Sequence, residues 1–334
     1  MIAILWILGT IFGVSIIALI FFFFWGSSGG YPQEKYAEII SDKGSENPAQ
    51  DDTLTVVTYN IGYLSGLTNN TSEPRTLELF ENNLKTAIQA LKPLQPDLIG
   101  LQEIDLDSRR SFRINQGAEL AKGLGLKNQA IAVNWDKNYV PFPYFPFSAH
   151  FGRLLSGQAI ISRYPIQKHD RLVLEKVADN PFYYKAFYID RLAQVSQIKI
   201  QEETVILINV HLEAFDKPTR RKQTQFIQEL LKQYIGKYPV LLLGDFNSPP
   251  PSPEHPDSTI SLLLNLPEIS PVVPRDLLIS SDAKTFPSDG AIAKIDYIFY
   301  SSDRLKLLEW RVITEAQQAS DHLPLMAKFR LIEQ

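Results

Sequence analysis

The chain contains no cysteine. Disulfides, thiolate metal sites and cysteine nucleophiles are therefore excluded, while the compartment is left open. A surplus of positive charge is missing too. Lysine and arginine number 33 against 37 aspartates and glutamates, for a formal net charge of -4. No global basic field exists to attract nucleic acid, although a local basic groove remains compatible with that balance. No internal repeat and no low-complexity tract is visible. Charged side chains are absent altogether from Ile2 to Trp25. What is present, 45% hydrophobic and 21% charged residues, describes an ordinary globular protein. The roughly 280 residues behind the apolar segment suit one large α/β or β-sandwich domain better than two.

The apolar segment, IAILWILGTIFGVSIIALIFFFFW, is long enough to cross a hydrocarbon core of about 30 Å. A cleaved signal peptide would have a basic leading region, a shorter apolar core and a small-residue cleavage site. No Lys or Arg precedes this segment and its core is long, so residues 1–25 read as an uncleaved transmembrane anchor. Lys35 and Lys43 follow it among Glu34, Glu38, Asp42, Glu46, Asp51 and Asp52. So weak a lysine and arginine bias offers little resistance to translocation, which places the domain on the extracytoplasmic side. Residues 26–52 read as a polar linker with one helical turn around Tyr36 to Ile40. Residues 53–334 form the domain.

The stretch VLLLGDFNSPP, Val240 to Pro250, organises that domain. Its unbroken apolar run predicts a strand covered on both faces. Gly244 ends the run, and Asp245 and Asn247 follow before the breakers Ser248, Pro249 and Pro250. Alone, Asp-x-Asn-Ser-Pro is also good turn chemistry. Other predicted strands end in the same manner. LTVVTYN ends in Asn60, DLIGLQ runs into Glu103, and VILINV runs into His211 and Glu213. IDYIFY begins near Asp296, and LMAKFRL follows Asp321 and His322. Amphipathic patterns predict helices over Glu73 to Leu91, Gln116 to Leu124 and Thr219 to Tyr234. In the last, Phe226, Ile227, Leu230, Leu231 and Tyr234 are expected to face inward. The loop NYVPFPYFPFSAHFG, Asn138 to Gly152, interleaves aromatics with prolines that forbid a helix or a central strand. It is either cover for the core or an exposed tip that dips into a membrane interface.

Asn60, Glu103, His211, Asp245, Asn247, Asp296, Asp321 and His322 thus belong to strand ends or adjoining loops, where sites gather in layered α/β proteins. The set is rich in hard oxygen ligands, which suits Mg²⁺ or Mn²⁺ better than zinc. His150, His169 and His255 fit no such pattern and read as loop or surface histidines.

The segments TYNIG, LQEID, NVHLEAF, GDFNSPP, KIDYIF and SDHLPL resemble, in order and separation, the motifs of the endonuclease/exonuclease/phosphatase superfamily. The resemblance runs from about Thr55 to Leu331. It implies a four-layered α/β sandwich, two mostly antiparallel sheets packed face to face with helices outside. It implies a divalent metal site at Glu103 with Asn60 and Asp321, and Asp245 and Asn247 positioning the attacking water and contacting phosphate. It implies His322 as base or phosphorane stabiliser oriented by Asp296, and His211 as the second histidine of the DNase and sphingomyelinase branches. Gln158 stands where many relatives carry Asn. Arg109, Arg110, Arg220 and Arg221 follow Glu103 and His211 closely and are candidate phosphate contacts.

The expected function is divalent-metal-dependent phosphoester hydrolysis by a membrane-tethered enzyme. A phospholipid head group or small phosphodiester is the favoured substrate. A nuclease is the alternative, and a non-catalytic binding module on the same fold is a second. No obligate protein partner is inferred.

Overall fold

The computed structural model describes residues 2–41 and 53–332. The remainder of the expected linker, 42–52, lies outside the described residues. In chain order the elements are α1 (Ile2–Ser27), β1 (Ala37–Ser41), β2 (Leu54–Asn60), α2 (Leu77–Leu91) and β3 (Leu98–Asp105). Next come α3 (Gln116–Leu124), β4 (Asn128–Val140), β5 (Gly152–Ser162), β6 (Ile166–Val173), α4 (Phe182–Phe187), β7 (Leu192–Ile200) and β8 (Glu203–His211). The last are α5 (Lys217–Leu231), β9 (Val240–Asp245), α6 (Ser261–Leu264), β10 (Ser270–Pro271), β11 (Asp296–Tyr300), β12 (Leu305–Val312) and β13 (Leu325–Leu331).

The strands form two sheets. One has seven strands in the order β1-β4-β5-β3-β2-β13-β12, the other six in the order β10-β11-β9-β8-β7-β6. Pairing is antiparallel except at β2 with β3 and at β8 with β9. Alternation along the central strands explains the layering. Val56 and Leu98 turn to the core shared with Leu207, Leu241 and Leu243 of the other sheet. Val57, Tyr59, Ile99 and Leu101 turn the other way, onto Phe80, Ala87 and Leu91 of α2 and Leu120 of α3. Ile227, Leu230 and Leu231 of α5 and Leu263 of α6 cover the second sheet. The result is the four-layered α/β sandwich. The two sheets approach closely at Gly100, where an added Cβ would strike Leu243 and press on Asn209.

Local chemistry sets the helix ends. The Thr76 side chain accepts from the Leu79 N–H and Asp216 from the Thr219 N–H, so α2 and α5 start at their caps. The start of α2 therefore falls later than Glu73. Phe226 is exposed on α5, not on its inner face. β6, which the sequence pattern does not announce, is a half-exposed edge strand.

The segment after α1 departs from its reading as a polar linker with a helical turn around Tyr36 to Ile40. Its turn lies at Gln33–Lys35, and Ala37–Ser41 form β1, paired antiparallel with β4 from Ala37↔Ala132 to Ser41↔Asn128. Main-chain bonds hold this strand, whose side chains are mostly exposed. The Tyr31 N–H and the Tyr36 hydroxyl fasten it further, both donating to Asp136 Oδ2 (2.8 and 2.9 Å).

Candidate active site

The registers bring the chemistry to one edge. Asn60 ends β2 beside Gln102 of β3, so Glu103 emerges next to it. His211 and Asp245 pair at the ends of the parallel strands β8 and β9. β11 runs antiparallel to β9 and starts there, with Asp296 opposite Asp245. β13 starts opposite Thr58, which puts Asp321 and His322 on the same edge.

Glu103 depends on a local irregularity. The β3–β5 register shifts between Leu101 and Ile104, and Glu103 has φ +52°. A bulge of this kind re-aims a side chain that the regular pleat would send elsewhere. Asn247 likewise takes φ +49°, its N–H donating to Asp245 Oδ1 (2.8 Å) and its side-chain nitrogen to the Leu212 carbonyl (3.0 Å).

The buried centre is a chain of polar contacts. His322 Nδ1 donates to Asp296 Oδ2 (2.9 Å), which also accepts from the Thr285 hydroxyl. The opposite nitrogen, Nε2, lies 3.9 Å from Asp245 Oδ2 and 3.4 Å from Asn60 Nδ2. Asn60 Nδ2 donates to Asp245 Oδ2 (3.0 Å), and Asn60 Oδ1 accepts from the Gly62 N–H (3.0 Å). His211 Nε2 sits 3.5 Å from Asp245 and 3.7 Å from Glu103 Oε1. It accepts from Arg191 Nη1 (2.5 Å).

The electrostatics follow from burial and crowding. Burial, with the Asp296 charge beside it, pushes Asp245 up to about 7. Burial also raises Glu103, and Asp321 adds to that. Burial opposes the charged form of His322, but Asp296, Asp245 and Asp321 outweigh it and lift the imidazole to about 10. His211 is held neutral, well below its ordinary value, by burial and by the Arg191 charge. The two histidines therefore stand in opposite protonation states at neutral pH.

Asn69 was not marked by any sequence signal, coming from a polar loop. Its amide donates to Glu103 Oε2 (3.0 Å) and to Asp321 Oδ2 (3.2 Å), drawing two carboxylates to one point. Gly62, at φ +50°, leaves the room there, since a Cβ would strike Asp321 Oδ1. Two carboxylates drawn together and partly desolvated are a donor set that fits a hard divalent cation. Asp245, Asp296 and His322 also offer ligand atoms within 4.8 Å of one another, although His322 and Asp296 already spend a strong bond on each other. Arg191 was missed as well. Its sequence signal was positional, because it precedes β7, whose Leu192 pairs with His211.

The four candidate arginines separate. Arg110 is buried, doubly bonded to the buried Asp105 (3.0 and 2.9 Å), with its guanidinium 3.4 Å from the Tyr63 ring centroid. Its fork is taken up inside the fold by Asp105 and Ser156. Arg220 donates to the Glu213 and Ala214 carbonyls (2.8 and 2.9 Å) beside the site. Arg109 and Arg221 are exposed. Gln158 joins a polar network between the sheets, donating to the Asn209 carbonyl (3.3 Å), while Asn209 accepts from Gln102 (2.6 Å). His169 is half-buried on β6 and not a loop residue. A cavity of about 640 Å³ is lined by Lys284, Trp310, Arg311 and Leu323, and none of the clustered strand-end acids, amides or histidines lines it.

A sandwich of two packed sheets thus carries an acid, amide and histidine cluster on the edge shared by its central strands. Residues 57–322 match the model of the Endonuclease/Exonuclease/phosphatase family, and the chain belongs to that family. Among curated proteins it is similar to a UPF0294 protein of Vibrio cholerae, 29% identical over 132 residues, covering 39% of this chain and 41% of the relative. The match thus spans less than half the length of that relative. Among solved structures, the human Nocturnin catalytic domain with bound sulfate aligns with a TM-score of 0.57 at 17% identity, covering 90% of this chain and all of that one. A mannosyl-6-phosphatase of Bacteroides thetaiotaomicron aligns with a TM-score of 0.57 at 18% identity, over 84% of this chain and 100% of that one. At these identities the structures speak for the fold.

Proposed function

We propose that the chain is a divalent-metal-dependent phosphoester hydrolase tethered to a membrane by α1, with its domain on the extracytoplasmic side. The observation that carries this reading is the His322–Asp296 pair, which aims an imidazolium at Asp245 in the same pocket as Glu103. In this reading Glu103 and Asp321, with Asn60 near them, hold Mg²⁺ or Mn²⁺. Bound there, such an ion would supply neutralisation of charge on the phosphoryl oxygens.

Asp245, raised to about 7, accepts a proton from the attacking water, with Asn247 fixing the carboxylate through its N–H. His322, kept charged by Asp296, donates toward the oxygen on which negative charge grows. His211 stays neutral, accepts from Arg191 at Nε2 and so holds that guanidinium beside the pocket without adding a second positive charge. Arg109, Arg220 and Arg221 are the cations left for the substrate phosphate.

One N-terminal helix is long and apolar enough to span a membrane. Together with the acidic balance, it favours a lipid head group or small phosphodiester over nucleic acid as substrate. The test is a Mg²⁺- and Mn²⁺-dependent screen of phosphomonoesters, phosphodiesters and DNA with the full chain, using His322→Ala as control. Turnover that survives His322→Ala, or that ignores chelation, would remove the reading.

A further inference from the structure

The aromatic loop resolves into a tip. Phe142 and Phe151 pack inward on each other (5.3 Å), whereas Tyr144, Phe145 and Phe147 are 70%, 77% and 73% exposed. Nearby, α4 exposes Phe182 and Tyr183. So many large aromatics on one exposed patch are costly in water and mark a binding surface.

The end of α1 is fastened to the same patch. Phe22 and Trp25 pack on Tyr139 (5.7 and 6.4 Å), and Phe23 packs on Phe182 and Phe187 (both 5.8 Å). The Tyr139 hydroxyl bonds His150 Nδ1 (2.8 Å), and the His150 ring packs on Phe147 (5.4 Å). Asn138 and Lys137 donate to the Trp25 and Ser27 carbonyls (3.1 and 2.8 Å). The apolar helix, the tip and α4 are therefore one continuous surface. Trp6 and Trp25 of α1 lie roughly 28 Å apart at a rise of 1.5 Å per residue, close to a hydrocarbon thickness. Trp25, Tyr139 and the tip then fall at the level where aromatic belts form.

From this surface a line of contacts leads to the catalytic pocket. Tyr184 of α4 stacks on Tyr188 (5.1 Å), and the Tyr188 hydroxyl donates to Glu213 (3.2 Å). Glu213 pairs with Arg191 (3.6 Å), which holds His211. Phe215, 85% exposed, stands at this rim with its N–H on Glu213 Oε1 (3.1 Å).

We propose that the 141–150 loop, α4 and Phe215 rest in the headgroup interface of the bilayer that α1 spans. The pocket then opens onto that interface and takes a phosphoester borne by a membrane lipid. The docking stands on its own; the choice of substrate rests on the hydrolase reading.

The absence of native cysteine makes the test direct. Phe145→Cys, Phe182→Cys and the distant, exposed Glu202→Cys in the β7–β8 turn are each labelled with an environment-sensitive fluorophore. Each full chain is reconstituted into phosphatidylcholine vesicles containing a shallow spin-labelled lipid. Labels at 145 and 182 are expected to be quenched about twofold or more beyond the label at 202, as residues at the interface would be. Equal quenching at all three positions overturns the docking. In parallel, Phe145→Ser/Phe147→Ser is compared with the parent on a lipid phosphoester in the same vesicles and on a water-soluble aryl phosphodiester. A loss of about tenfold on the lipid, with the soluble substrate unaffected, is expected from loosening an interfacial contact. Equal loss on both, or on neither, overturns the link between docking and catalysis. If the parent hydrolyses neither substrate, the hydrolase reading and the choice of substrate fall together, and the quenching result decides the docking alone.

Discussion

Replacing Glu103 by Gln should move stability in opposite directions with and without metal. Asn69 Nδ2 bonds Glu103 Oε2 and Asp321 Oδ2 at 3.0 and 3.2 Å, so the two carboxylates lie no more than about 6 Å apart across one amide. At an effective dielectric of about 20, two unit charges at about 6 Å repel by roughly 3 kcal/mol. Gln keeps an oxygen for Asn69 and fits the same left-handed backbone at least as well, so the change removes mainly charge. Discounting for solvent at the mouth, the metal-free variant should gain about 1–2 kcal/mol, or roughly 1.5–3 °C in Tm for a chain of this size. With metal at about 100 times its Kd, the parent should gain about 2.7 kcal/mol. The variant, short one anionic ligand, should gain less than about 1 kcal/mol at that concentration. Thermal melts of the full chain in detergent, in chelator and then across a Mn²⁺ titration, read both effects. A lower Tm for metal-free Glu103→Gln, or equal Mn²⁺ increments for both proteins, would refute the placement of the cation.

Three further outcomes follow from the same geometry. His322→Ala should lower turnover by about 10²–10⁴-fold while leaving the Mn²⁺-induced Tm shift close to that of the parent, because a proton donor and not a metal ligand is lost. Asp105→Asn should cost about 3–5 kcal/mol by stranding the buried Arg110 charge, seen as a drop in urea midpoint. Lys294 is fully buried with its Nζ on the Asp296 carbonyl (2.9 Å), and burial, only partly offset by the Asp296 charge, pulls it from 10.5 to about 7. Between those values the folded chain binds fewer protons than the unfolded one, so this residue makes stability rise with pH from about 7 to 10.5. Lys294→Met should flatten that part of the Tm–pH curve; a variant with the parental slope would show that the lysine does not carry it.

Strand ends were the legible part of this site. A run such as Val240 to Leu243 can hardly be anything but a covered strand, and parallel or antiparallel register then sends Asn60, His211, Asp245 and Asp296 to one edge. Glu103 was legible as a residue but not as a geometry, because the bulge that aims it is a property of how β3 meets β5. Asn69 carried no signal, since an amide in a polar loop looks the same whether or not it bridges two acids. β1 was read as linker for a related reason. An edge strand held by its main chain needs no buried alternation, so its side chains advertise nothing.

Arg110 shows why proximity in sequence misleads about substrate contacts. It follows Glu103 closely and has the fork suited to phosphate. Asp105 also follows Glu103, and it is fully buried. A carboxylate cut off from water takes the nearest guanidinium, because leaving either charge unpaired costs several kcal/mol. Cations closest to a buried acid are therefore claimed by the fold first. Those left for a substrate are the ones whose local partners are carbonyls or solvent: Arg220, on the Glu213 and Ala214 carbonyls, and the exposed Arg109 and Arg221. By this logic Arg220→Ala should raise KM more than it lowers stability, and Arg110→Ala should do the reverse; a matching pair of effects would mean that burial did not decide between them.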